Sequence, residues 1–363
     1  MLSPRSPIAC ESRRAVGGPF ELTTPAMDSR GVAESLQWDA CGTWTVSGRA
    51  ALGLILDELR RRGVRELHLP DYLCQSILDT VEAYEWQYSF YPVSRSLSAS
   101  PSPPENSALL VIHYFGWVNP IVERFRGVAD GTIHLIEDAC QAPLSEGVSF
   151  RPERGFVVAS PRKFAPVPLG GWCNLEKRGL ELQPEAEARA WQSLAARVVR
   201  GAYLSHPSHP VNREIEKFYL DALHEVEDFI EANLLSECAL PKIALDSLRF
   251  TDWKKAAEAR RANWQLLNEL LEGCVQPIFR ELPEGVVPLG YPVELKDRDG
   301  VRAKLAQARV FCPVHWPLPR QLRHTTAGST GIRAAKSWLT LPIDQRYNAA
   351  DIEYVAAALR KAV

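Results

Sequence analysis

Apolar residues recur along this chain in two rhythms. Between residues 50 and 62, Leu52, Ile55, Leu56 and Leu59 stand at i, i+3, i+4 and i+7, the spacing that lays one apolar stripe along an α-helix. A helix is predicted there, entered through Ser47-Gly48, where a small residue and a glycine suit a tight turn into a helix start. Short, nearly continuous apolar runs follow at 66–70, 88–91, 108–113, 132–136 and 155–159, with helical stretches at 76–84 and 120–128 between several of them. Such runs read as strands buried on both faces. Their alternation with helices predicts an α/β protein built on a mainly parallel sheet covered on both sides.

From residue 185 the rhythm lengthens. Helical patterns cover 185–200, 212–231 and 252–271, the last carrying Ala256, Ala259, Trp264, Leu267 and Leu271. A smaller α+β module closes the chain, with elements at 286–293, 301–309 and 310–312 and a final helix at 351–362. The predicted organisation is an N-terminal arm at 1–35, a large domain at 36–250, and a linker helix with a small C-terminal domain at 251–363. The Ser- and Pro-rich stretch 94–107 reads as an exposed loop.

Composition narrows the function classes. With 363 residues the chain can bury a large core, and 46% hydrophobic with 24% charged residues is ordinary for a globular protein. A formal charge of −2 leaves no electrostatic footprint for nucleic acid or an anionic membrane. No apolar run approaches the roughly 20 residues of a membrane span. Residues 1–14 show no apolar core of a signal peptide, so a cytoplasmic location is expected. The eight cysteines include no CxxC pair and do not cluster with the eight histidines; reduced thiols and no metal site are expected.

The candidate chemistry centres on Lys163, in Ser160-Pro161-Arg162-Lys163-Phe164 ahead of Gly170-Gly171. Upstream lies Asp138 in Ile136-Glu137-Asp138-Ala139-Cys140-Gln141. An aspartate closing an apolar strand and a lysine in a later loop are what pyridoxal phosphate chemistry needs. The amine forms a Schiff base with the aldehyde, and the carboxylate keeps the ring nitrogen protonated. Ser47-Gly48-Arg49 suits a phosphate turn at a helix N-terminus, Ser160 could donate to the same phosphate, Gln141 could reach the ring hydroxyl, and Tyr72 could stack on the ring. Each also has an ordinary reading: a capped helix, an N-cap aspartate, a solvated basic loop, a packed tyrosine. The set lies in a workable order at the carboxyl ends of predicted strands, where ligands sit in open α/β sheets. Arg260-Arg261 and Lys254-Lys255 read as solvated on a polar helix face. His315-Trp316 reads as a packed turn, and Arg346 as the anchor of a loop.

These segments resemble the DegT-like sugar aminotransferases, pyridoxal phosphate enzymes of fold type I. The resemblance runs through Gly17–Leu22, Ser47–Leu52, Leu69-Pro70-Asp71-Tyr72, His113-Tyr114-Phe115-Gly116, Glu137–Ala142, Ser160–Phe164 and Leu341–Tyr347. It implies a seven-stranded, mostly parallel sheet between helices and a homodimer with its active site at the subunit interface. It also implies amino transfer from a donor such as glutamate to a keto sugar. By it, Lys163 is the Schiff-base lysine and general base, and Asp138 is the ring-nitrogen partner. Gln141 contacts the ring hydroxyl, Tyr72 stacks, and Gly48, Arg49 and Ser160, beside Ser47, surround the phosphate. The chain departs from the familiar pattern in carrying Arg49 where threonine is usual, in the approach Val158–Arg162, and in lacking a recognisable cross-dimer asparagine. Two other readings stay open at this point: a non-transaminating pyridoxal phosphate enzyme, and a regulatory protein that keeps the pocket without turnover.

Overall fold

The computed structural model describes residues 15–22, 42–126, 132–176, 179–205, 213–234, 237–323 and 329–363. Most of the expected arm 1–35 and the loop 206–212 lie outside these. After a two-residue strand β1 (Val16–Gly17) the elements run β2 (Thr43–Thr45), α1 (Gly48–Arg61), β3 (Glu66–Pro70), α2 (Gln75–Ala83), β4 (Gln87–Tyr91), β5 (Ser107–Ile112), α3 (Val122–Phe125), β6 (Ile133–Asp138), β7 (Phe156–Ala159) and β8 (Gly171–Cys173). Seven of these strands form one sheet in the order β2-β8-β7-β6-β5-β3-β4. Pairing is parallel from β4 through β7, and antiparallel where β8 meets β7 and where β2 meets β8. β5 is buried along its whole length, which is why its sequence is continuously apolar rather than alternating.

The remaining elements are α4 (Pro184–Leu204), α5 (Arg213–Ala232), α6 (Lys242–Arg249), α7 (Trp253–Leu270), β9 (Gln276–Pro277), β10 (Tyr291–Glu294), α8 (Arg298–Gln307), β11 (Val310–Phe311), α9 (Thr330–Ser337), β12 (Trp338–Leu341) and α10 (Ala349–Ala362). β12, β10 and β9 make a small antiparallel sheet, and β1 pairs with β11. The helix expected at 120–128 is the single turn α3; part of that stretch lies outside the described residues.

Separate apolar cores support the two sheets. The larger joins α1, α2 and strands β3, β5 and β6. The second joins Trp264 and Leu267 of α7 to β10, β12 and the inner face of α10. α1 carries more than the one stripe its sequence suggested: Ala50 to Leu56 are all buried, because the helix packs against β2, β7 and β8 on one side and α2 on another. β8 runs against its N-terminus so closely that a Cβ on Gly171 would fall 1.9 Å from the Ser47 carbonyl oxygen. Only glycine permits that approach, and it holds the start of α1 beside the end of β7. Among the described residues no helix is long and apolar enough to cross a membrane, and no group of His, Cys, Asp or Glu could hold a metal ion.

Candidate active site

The ends of β6 and β7 and the start of α1 open on a cavity of about 510 Å³, closed on its far side by residues of the C-terminal part such as His315, Trp316 and Thr340. Six of the eight expected site residues line it: Ser47, Gly48, Arg49, Asp138, Ser160 and Lys163. Each is placed by backbone the sequence dictates. Ser47 caps α1, its hydroxyl accepting the Ala50 N–H at 3.1 Å. Asp138 is the last residue of β6 and accepts the Cys140 N–H at 2.8 Å. Ser160 ends β7 and leads into a single 3₁₀ turn, Pro161–Lys163, which Pro161 favours by its fixed φ.

Lys163 is the one lysine among the described residues on the cavity wall. Its loop is fastened from below. Phe164 is fully buried, with the Arg260 guanidinium 4.4 Å above its ring, and the Gln345 amide donates to its carbonyl. Arg260, expected in solvent, is instead 1% exposed. It donates to the carbonyls of Pro288 and Leu289 at 3.2 and 2.9 Å and to Gln345 Oε1 at 2.9 Å. Burial lowers its pKa to about 10, with Asp344 acting against the shift, so it stays charged at neutral pH. Sequence periodicity missed it because a charged residue in a helix is solvated by default. The available signal was its place in the 252–271 pattern, four residues before Trp264. Arg260→Met should unpair these acceptors and cost about 3 kcal/mol or more, read as a lower thermal midpoint and faster amide exchange at residues 163–165. Arg260→Lys should not restore it, since an ammonium cannot reproduce the planar fork.

Tyr72 and Gln141 are not on the cavity wall. Tyr72 is buried in an aromatic cluster, stacked on Tyr114 at 5.1 Å and touching Trp316 and Trp338. Its hydroxyl donates to the His315 carbonyl. It therefore supports the His315-Trp316 segment rather than presenting a face to a ligand. Gln141 Oε1 accepts the Phe115 N–H at 2.8 Å, and its buried amide nitrogen has no partner. His315, expected in a packed turn, does line the cavity, with Nδ1 2.9 Å from Thr340 Oγ1. Burial, then the Lys163 cation, holds its pKa below the ordinary range. The imidazole beside Lys163 is thus neutral at physiological pH. Burial, then the charge of Asp138, pushes the Cys140 thiol well up, so Cys140 stays a thiol rather than a reactive thiolate.

Arg346 is an anchor, as its sequence setting suggested. It pairs with Asp344 and Glu21 and donates to the carbonyls of Gly18 and Pro19. That ties the segment 15–22 over the cavity.

No family model matches this sequence, and no curated protein does. Solved structures do resemble it. The sugar aminotransferase CalS13 from Micromonospora echinospora superposes with a TM-score of 0.61 at 15% identity, over 97% of this chain and 99% of that one. A structure described as a putative sugar aminotransferase, Spr1654 from Streptococcus pneumoniae in its PMP-form, gives 0.62 at 14% identity over 95% and 93%. DesV of S. venezuelae gives 0.56 at 18% identity over 88% and 84%. With its seven-stranded, mostly parallel sheet between helices and its smaller antiparallel sheet, the chain has the fold of the pyridoxal phosphate-dependent aminotransferases.

Proposed function

We propose that the protein is a pyridoxal phosphate-dependent aminotransferase, moving an amino group from an amino acid, glutamate in the first instance, to a keto sugar. The observation that carries this is the convergence of Lys163 and Asp138 on one cavity with Ser47, Gly48 and Ser160. The residues fit the cofactor by their chemistry. Lys163 would supply the amine that the aldehyde needs, Asp138 the carboxylate for the ring nitrogen, and Ser47, Gly48 and Ser160 the hydroxyl and N–H donors for a phosphate. Arg49 adds a buried Nη1 with no partner.

When bound, pyridoxal phosphate supplies an electron-withdrawing ring that takes up the electron pair left at the donor's Cα. Asp138 would hold the proton on the ring nitrogen. Lys163 Nζ would anchor the aldehyde and, once displaced by the donor, would take the Cα proton and deliver it to the former aldehyde carbon. The neutral His315 and Trp316 would face the acceptor and exclude water.

The acceptor class is supported by structural neighbours described as sugar aminotransferases. A homodimer completing the site, a cytoplasmic location and a place in polysaccharide biosynthesis belong to the same reading. So does the division into an arm 1–35, a cofactor domain 36–250 and a C-terminal unit 251–363. The test is reduction with borohydride after addition of pyridoxal phosphate, followed by peptide mass mapping. The label should fall on Lys163, and glutamate added before reduction should release one equivalent of keto acid and prevent labelling. A label on other lysines only would end the reading.

A further inference from the structure

The cavity wall holds more positive charge than Lys163 and Asp138 account for. Among the described residues six cationic side chains and three carboxylates line it, and the charges of Arg162, Arg49 and Arg197 all act on the single carboxylate of Glu227. Arg49, in the first turn of α1, has Nη1 buried without a partner and Nη2 only 3.4 Å from the exposed Glu231. Arg162, beside Lys163, has Nε buried without a partner and a single ion pair to Glu227. Arg197 of α4 is 5% exposed and also lines the cavity. It is held by the Phe20 carbonyl at 2.8 Å and Ser193 Oγ at 3.3 Å. Burial, then the neighbouring Arg162 cation, lowers its pKa to about 9, the mark of a guanidinium short of anions. The Glu227 carboxylate on α5 pairs with Arg162 and lines the same cavity as Arg49 and Arg197. Burial raises its pKa, but Arg162, then Arg49 and Arg197, outweigh that and hold it below the ordinary range.

We propose that Arg49, Arg162 and Arg197 form a phosphate subsite within a single chain, in which Glu227 stands as a resident counter-ion that an incoming phosphate replaces. One carboxylate offers two acceptor oxygens and one charge to three guanidinium groups. A phosphate dianion offers three oxygens and twice the charge, with geometry that arginine matches in pairs. Glu227 is suited to leave, since its side chain is 45% exposed and Arg162 is its one ion pair among the described residues. The inference deepens the aminotransferase reading and rests on it for the identity of the ligand. The phosphate is either that of the cofactor or one carried by the acceptor.

The test uses the full chain freed of cofactor. Half-saturation of borohydride-trapped label at Lys163 is measured with pyridoxal phosphate and with pyridoxal, which lacks the phosphate. Where the phosphate is the cofactor's, Arg49→Met and Arg162→Met should each weaken pyridoxal phosphate about 10- to 100-fold and leave pyridoxal unchanged. Glu227→Gln should tighten pyridoxal phosphate about tenfold, whereas a merely structural glutamate would leave it unchanged or weaken it. Inorganic phosphate separates the sources. Competition with pyridoxal phosphate that is lost in Arg49→Met assigns the subsite to the cofactor. Arginine-dependent binding to cofactor-loaded protein, seen by calorimetry, assigns it to the acceptor. Equal weakening of both labels by the arginine variants, or a looser complex in Glu227→Gln, overturns the proposal. Absence of label at Lys163 with either compound strikes the aminotransferase reading instead. Calorimetric binding of inorganic phosphate that falls in Arg49→Met would still uphold the subsite.

Discussion

Lys163→Ala should abolish borohydride labelling and slow the release of keto acid from glutamate by at least about 10²- to 10⁴-fold, the range for a positioned proton-transfer group. Among the described residues the wall has no second amine to take over, because the other cationic side chains lining it are arginines, which are neither nucleophiles nor bases near neutral pH. Folding should be nearly untouched. The loop is held by Phe164, Arg260 and Gln345, not by the lysine side chain, so the thermal midpoint should move little. That pairing of a large loss in turnover with a small loss in stability is the signature sought. Lys163→Arg sharpens it by keeping the charge while removing the nucleophile; it should be as inactive as the alanine variant. A variant that retains turnover above a hundredth of the parent rate would mean that Lys163 is not the proton carrier.

That Lys163 and Asp138 could be read from sequence follows from how they are placed. Asp138 ends a near-continuous apolar run and Lys163 lies in the short turn just beyond another, and the end of a buried parallel strand is a position where a polar residue is not easily explained by packing. The same logic located β3 to β7. It could not locate β2, β8 or β12, which are three or four residues long and too short to show a period. β8 matters most among these, since its Gly171 sets α1 against the cavity. Tyr72 shows the opposite failure: an aromatic just beyond a strand end can face a ligand or fill the space below it, and only the positions of Tyr114, Trp316 and Trp338 decide. Arg260 and Arg197 were illegible for a third reason. Their partners are largely backbone carbonyls far along the chain, and nothing in a local pattern announces a distant acceptor.

The second large effect lies on the other face of β6. Strand alternation turns Asp138 toward the cavity and Glu137 away from it. There Glu137, fully buried, accepts from Arg126 Nε at 2.8 Å and Nη2 at 2.5 Å, and from His113 Nε2 at 2.8 Å. His113 Nδ1 accepts the Asn119 N–H at 3.1 Å, which fixes the tautomer and leaves Nε2 as the donor. Burial alone would raise the Glu137 carboxyl, but the bonds from Arg126 and His113 outweigh it and lower its pKa. A carboxyl lowered on folding contributes stability that is present above its unfolded pKa, about 4.3, and lost as pH falls through the folded value. Glu137→Gln should therefore cost about 3–5 kcal/mol at pH 7, because it strands the almost fully buried Arg126 side chain. The cost falls at the lower end of that range if Glu123 compensates in part. The gap between variant and parent should narrow once the pH drops below about 4, as the parent's own carboxylate is protonated. Urea midpoints measured from pH 7 down to pH 3.5 test both statements. A gap that stays constant over that interval would show that the carboxylate's charge is not what holds β6 in place, and with it the register that brings Asp138 to the site.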